Sequence, residues 1–267
     1  MRIFDSHCHI YPEAIAPRAI RGVDAFYGGL PAEPMDGTVN TLLRQSEALG
    51  IEKCIVHSVA TKPEQVSHIN QFIARSVAEA QGRFVGLGTL HPDSANVEAD
   101  LEELVSLGLK GVKLHPDIQR FPVDGDSAAP IFEMCRDRGL CVLVHTGDYR
   151  YDFSNPPRVA RMLQRFPGLN FIGAHFGGWS LWAEAAKTLS RYDNITVDCS
   201  STFAWLTPEQ VMPLIQAYGS HRVMFGSDYP LFGQKPTMEA FDRLPLTEAE
   251  REAIAWRNCA RVFGIEV

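Results

Sequence analysis

Short apolar runs alternate with longer amphipathic ones from one end of the chain to the other, and that alternation restricts the fold more than any other feature. Runs of four to seven residues, rich in Val, Ile, Leu and Phe, predict buried strands at Arg2–Ser6, Lys53–Ser58, Phe84–Leu90, Gly111–Leu114, Cys141–His145, Asn170–Ala174, Ile195–Asp198 and Val223–Gly226. Helical periodicity follows each, at Thr38–Leu49, Glu64–Ala80, Asn96–Leu107, Ala128–Arg138, Pro157–Phe166, Trp179–Ser190, Pro208–Tyr218 and Leu246–Phe263. Thr207-Pro208-Glu209-Gln210 offers a cap with proline at the first helical position, and Arg165-Phe166-Pro167-Gly168 is a helix stop. Eight strand–helix units close most simply into a (β/α)8 TIM barrel. The 267 residues show no composition break, so a single domain is expected.

One connection is too long for a turn. Residues 10–37 hold four prolines, Phe26-Tyr27 and Gly28-Gly29, and are too apolar for a disordered tail. They are expected to form a lid-like insertion after the first strand, with subunit packing as the alternative use. The loop from Asp148 to Pro157, carrying Tyr149, Arg150, Tyr151 and Phe153, is expected to be a second wall.

The formal net charge is −7, with Lys and Arg scattered, which disfavours a polyanionic partner and therefore nucleic acid. The six cysteines lack Cys-x-x-Cys spacing and sit in apolar contexts, as reduced buried thiols do. There is no basic-then-apolar leader and no apolar run of the ~18 residues that a membrane span needs, so a cytoplasmic, membrane-free protein is expected.

The nine histidines are not scattered. His7, His9, His57, His91, His115, His145 and His175 all lie at or just past the C-terminal end of a predicted strand, where a barrel of this kind builds its active site. In Phe4-Asp5-Ser6-His7-Cys8-His9 the two imidazoles alternate onto one face, about 7 Å apart along the backbone, and can grip one metal ion. Imidazole is the commonest zinc ligand, and a catalytic site uses about three protein ligands while leaving a position open. His145 and His175 add imidazoles from the fifth and sixth strands, and Asp228, in Gly226-Ser227-Asp228-Tyr229-Pro230, adds a carboxylate from the eighth that can ligate and accept a proton.

The remaining strand-end residues carry weaker signals. His57 and His91 read as loop-orienting imidazoles bonded to backbone. His115 stays open between that role and substrate contact. Lys113 shares a strand face with His115, and could pair with a substrate carboxylate or, carbamylated, bridge two metal ions. Arg150 and Arg120 are candidate carboxylate partners, and Phe26, Tyr149, Phe176, Trp179 and Tyr229 candidate aromatic walls. Together they suggest a small, anionic, planar or cyclic substrate.

Asp5-Ser6-His7-Cys8-His9, Val144-His145-Thr146-Gly147, Gly173-Ala174-His175-Phe176-Gly177-Gly178 and Gly226-Ser227-Asp228-Tyr229-Pro230 together resemble the amidohydrolase superfamily, and within it the amidohydrolase-related branch that includes aminocarboxymuconate semialdehyde decarboxylase. That resemblance implies His7, His9, His145 and Asp228 as ligands of one divalent ion, usually Zn2+ with Mn2+ as an alternative, and His175 as the acid/base beside it. In two-metal branches His175 is itself a ligand and Lys113 the carbamylated bridge; Val112-Lys113-Leu114-His115-Pro116 is similar to the Lys-Leu-Tyr-Pro of dihydroorotases. One ion is favoured over two. Homodimers are frequent among such relatives.

TatD-type deoxyribonucleases share the opening motif, but they place a Glu where this chain has Lys113, and the acidic balance opposes DNA. The expected activity is therefore a metal-dependent hydrolase acting on an amide, lactone or ester of a small carboxylated substrate. A non-oxidative decarboxylase of an unsaturated or aromatic carboxylate is the alternative, since both chemistries use the same ligands. A metal-free binding module would be expected to have lost these ligands.

Overall fold

The computed structural model describes residues 1–31 and 33–266. The expected strands form nine segments in chain order: β1 (Ile3–His9), β2 (Ile51–His57), β3 (Phe84–Gly86), β4 (Gly88–Thr89), β5 (Gly111–Leu114), β6 (Cys141–Val144), β7 (Asn170–Gly173), β8 (Ile195–Asp198) and β9 (Val223–Met224). Each pairs in parallel with its neighbour in sequence, apart from β3 and β4, which are two halves of one strand interrupted at Leu87. The Leu87 amide still reaches the Val56 carbonyl at 2.9 Å.

The break has a packing cause. A Cβ on Gly88 would lie 2.3 Å from Leu104 and 2.9 Å from Asn70, and one on Gly86 would meet Leu109, Ile73 and Val77 inside 3.0 Å. Only glycine lets the helices Val66–Glu79 and Val97–Ser106 press so close. Buried Asn70 then takes over the missing ladder bonds, accepting from the Thr89 amide at 2.7 Å and donating to its carbonyl at 3.1 Å.

The ring closes between the first strand and the segment after the last. The Ser6 amide donates to the Phe225 carbonyl, the Asp228 amide to that of His7, and the His9 amide to that of Tyr229, at 2.9, 3.0 and 2.6 Å. Asp5 reinforces the seam. Its buried carboxylate accepts from the Ser227 amide and hydroxyl at 2.9 and 2.6 Å and from Gln234 Nε2 at 2.9 Å. Phe4, Ile55, Leu87, Leu143, Ile172 and Met224 fill the barrel interior, and Cys259 and Phe263 of the C-terminal helix plug its base. Val112, Val142, Val144 and Val197, on alternate positions, pack outward under the helices.

The helices depart from expectation in four places, one of them an unanticipated helix at Gln234–Asp242 after the last strand. The segment Leu246–Phe263 is divided into Glu248–Glu252, a wide π turn at Ala253–Arg257 and Asn258–Phe263. The wide turn frees the Ile254 carbonyl to accept from Phe225 at 2.8 Å, and Asn258 Nδ2 donates to Ser220 and Val223, so tertiary bonds replace helical ones. The helix expected from Trp179 begins at Trp182, because Ser180 sits at φ 63°. The long insertion contains a helix, Ala16–Tyr27, that its prolines and glycines concealed. Ala32, within that insertion, lies outside the described residues.

Among the described residues no helix is long and apolar enough to cross a membrane, and all six cysteines are free and buried. Replacing Asp5 by Ala strands three donors at the ring closure and is expected to cost about 3 kcal/mol or more, read as a lowered urea midpoint, whereas Asp5→Asn should retain part of that stability.

Candidate metal centre

Seven of the strand ends converge at the top of the ring. His7 Nε2 stands 3.3 Å from His9 Nε2 and 3.5 Å from Asp228 Oδ1, and His9 Nε2 is 3.6 Å from the same oxygen. Ligand atoms about 2.1 Å from a tetrahedral ion stand ~3.4 Å from one another, so this triangle has the dimensions a single divalent ion requires. On the other side, His175 Nε2 faces His145 Nδ1 at 3.0 Å, and the His7 and His175 ring centres are 5.2 Å apart. Two imidazole nitrogens and a carboxylate oxygen so close in a buried site are placed to share one cation.

The backbone is bent to make this arrangement. Asp228 and His175 both occupy the left-handed region, at φ 70° and 57°, and Phe176 follows at 54°. Non-glycine residues there are strained, and such residues cluster where a side chain must be aimed. Gly147 and Gly178 meet at the same rim: a Cβ on Gly147 would lie 2.7 Å from the Gly178 backbone.

Outer hydrogen bonds fix the tautomers. Asp198 Oδ2 accepts from His7 Nδ1 at 2.9 Å, which leaves His7 Nε2 bare toward Asp228. The Ser200 carbonyl can only accept, so His175 Nδ1 carries the proton between them at 2.9 Å and its Nε2 is bare toward His145. Asp198 also accepts from the His175 amide at 3.0 Å, tying both rings to β8. Neither Asp198 nor Ser200 stood out in the sequence, where a lone Asp closing a strand carries no spacing signal.

Lys113 is almost fully buried, with Nζ 3.1 Å from His7 Nε2, so it belongs to the site rather than to the surface. Burial pushes its ammonium down, opposed by Asp198 and Asp228; burial pushes Asp228 up, opposed by Lys113. His57 corrects the sequence reading. It bonds no backbone group; its ring packs at 4.8 Å from His7 and 4.4 Å from His9, and both nitrogens lack partners among the described residues. His91 does play the loop-orienting part, accepting from the Asp93 amide at 3.2 Å.

The walls sort less simply. His115 stacks on His145 at 3.9 Å and 6°, caps the short helix Pro116–Gln119 by accepting from Ile118, and meets the Tyr27 hydroxyl at 3.1 Å. Trp179 packs against Tyr27 at 5.0 Å and His145 at 6.5 Å, and Phe26 lies 5.9 Å from His115. Tyr149 is 71% exposed, with its amide bonded to Ser180, so it does not wall the cleft. Arg150 directs its fork to Asp148 and donates through Nη1 to the Phe26 carbonyl at 2.6 Å, which makes it a clamp on the insertion rather than an unengaged cation. Tyr27, Leu30, His145, His175, Trp179 and Asp228 line a narrow cleft over the site.

Burial pushes His7, His9, His57, His91, His115, His145 and His175 below the ordinary imidazole value, His175 to about 4. The unfolded chain takes up these protons near pH 6.5 and the folded chain only lower, so their contribution is complete above that value and is lost as pH falls. Asp5, Asp117 and Asp228, pushed up by burial, act in the opposite sense. Seven imidazoles outweigh three carboxyls, and the urea midpoint of metal-free protein is expected to fall steadily from pH 6.5 to about pH 4.5.

Comparison with known proteins agrees with this fold. The 2-amino-3-carboxymuconate-6-semialdehyde decarboxylase of Dictyostelium discoideum is 34% identical over 244 residues, covering 74% of this chain and 66% of that protein's length. A TIM-barrel protein of Bordetella bronchiseptica superposes with a TM-score of 0.82 at 22% identity, over 99% of both chains. The 5-carboxyvanillate decarboxylase of Novosphingobium aromaticivorans, solved with manganese and 4-hydroxy-3-methoxy-5-nitrobenzoic acid, superposes at 0.76 and 16% identity, over 98% of this chain and 96% of that one. The family described as amidohydrolase matches residues 4–265. With the barrel, the ring of strand-end imidazoles and that match together, this chain belongs to the amidohydrolase family.

Proposed function

We propose that this protein is a metal-dependent, non-oxidative decarboxylase of a small unsaturated or aromatic carboxylate. The observation that carries the metal reading is the triangle of His7, His9 and Asp228 atoms at 3.3–3.6 Å, with His145 Nδ1 presented opposite. The order expected from sequence, hydrolysis first, is reversed here because the curated relative at 34% identity is a decarboxylase. We assign His7, His9, His145 and Asp228 as holders of one divalent ion, Zn2+ or Mn2+, with His175 left as acid/base. When bound there, the ion supplies a Lewis acid that polarises substrate oxygens.

The chain's own groups then account for the proton balance. Decarboxylation breaks the bond between the ring or vinylic carbon and its carboxylate; the electron pair stays on that carbon, one proton joins it, and carbon dioxide leaves. His175 Nε2 and Asp228 flank the cleft and are the groups that hold that proton. Ser200 fixes His175 in the tautomer that offers Nε2. Tyr27, Trp179 and Phe26 present aromatic surface to a planar substrate and exclude water. We assign the 10–37 insertion as a lid: Tyr27 reaches His115, and Arg150 holds the Phe26 carbonyl.

A panel of small carboxylated ring compounds and unsaturated carboxylates, assayed for carbon dioxide against ring opening, decides the chemistry. Carbon dioxide release is expected; ring opening without it would return the assignment to hydrolysis. His175→Asn and Asp228→Asn are expected to lower turnover by about 10²–10⁴-fold, with bound metal retained in His175→Asn and weakened in Asp228→Asn by metal analysis. Arg150→Ala, which unclamps the lid, should raise KM by about tenfold with a smaller change in kcat.

A further inference from the structure

We propose that Asp117 is the positioning residue for His145, holding the far edge of that ring through its Nε2 hydrogen. This rests on the reading of His145 as a metal holder. His145 turns Nδ1 inward, 3.0 Å from His175 Nε2, so Nε2 lies on the opposite edge. Without an ion, His145 Nδ1 carries the hydrogen that the bare His175 Nε2 accepts; when Nδ1 is offered to an ion, that hydrogen is given up and the ring carries its hydrogen on Nε2. That hydrogen needs an acceptor, because Nε2 is buried and has no partner among the described residues.

The matching acceptor is present and equally unserved. Asp117 Oδ1 is buried without a partner among the described residues, and both side chains belong to residues only 3% exposed. His115, Asp117 and His145 each bring one ring nitrogen or carboxylate oxygen within 4.8 Å of the other two, which makes the ring and the carboxylate neighbours in one buried recess. Where such a pair does not touch directly, one bridging water with two to four hydrogen bonds joins it.

The surroundings hold Asp117 for this part. Its other oxygen accepts from Ser154 Oγ at 3.1 Å, which fixes the carboxylate plane. Arg150, whose charge is felt at Asp117, is committed to Asp148 at 2.6 Å, and Asp117 has no salt bridge among the described residues. His115, stacked flat on His145, stops that ring from tilting away. Sequence separates the pair by 28 positions, and the β5–β6 pairing brings their strand ends side by side.

Zinc titration of the full-length protein against a chromophoric chelator tests this. Asp117→Asn, a weaker acceptor of the same shape, should bind zinc about tenfold more weakly, and Asp117→Leu up to a hundredfold. Both should keep one equivalent at saturation and the thermal midpoint of the metal-free protein, and Asp117→Glu should recover part of the affinity. Unchanged affinity in Asp117→Asn, while His145→Ala loses zinc, would overturn the inference and leave the His145 assignment standing. A second equivalent of zinc that disappears with Asp117→Asn would also overturn it, by making Asp117 a ligand. If His145→Ala keeps full affinity, the assignment of His145 itself fails, and the inference with it.

Discussion

The site depends on one closure. His7 and His9 lie more than 200 positions from Asp228, and they meet because β1 bonds to the residues after β9 through the Ser6, His9 and Asp228 amides. The Asp228 amide bond to the His7 carbonyl is part of the ring and part of the site at once. It pins the backbone in the left-handed region that turns the Asp228 carboxylate onto the two imidazoles. Asp5 secures the same seam from beneath with buried hydrogen bonds to Ser227 and Gln234, one residue pair away from the proposed ligands.

Around that closure the barrel solves an electrostatic problem. Imidazole nitrogens, a carboxylate and the Lys113 ammonium are gathered where water is scarce, and burial alone disfavours every charged form. The outer shell settles which atoms stay bare. Asp198 and the Ser200 carbonyl each take the hydrogen from one ring nitrogen and leave the other facing inward. Metal chemistry in such a site is tuned as much by those acceptors as by the ligands themselves. The insertion adds aromatic cover, and its attachment through Arg150 shows how a residue that reads as a substrate partner in sequence can be engaged within the protein instead.

Most strands were legible because they are buried on both faces and read as short apolar runs, and Gly111–Leu114 and Ile195–Asp198 fall where the pattern placed them. The histidines gathered at the candidate metal centre were legible because histidines at strand ends are rare by chance and share one rim in a barrel. The helix Ala16–Tyr27 was not, since the prolines and glycines around it make the local sequence read as a loop. His57 could not be separated from an ordinary polar strand end until its ring was seen between His7 and His9.

By itself, then, the sequence determined the barrel, the rim and the ligand-type residues, because periodicity and residue chemistry are local properties that survive in one dimension. Only the tertiary structure decided which atoms of those residues face one another. Asp198 under His7, Ser200 under His175, and Asp117 beside His145 are relations between distant strand ends. They exist only after the ring closes, because distance between side chains is set by strand register and barrel curvature, which no single segment encodes.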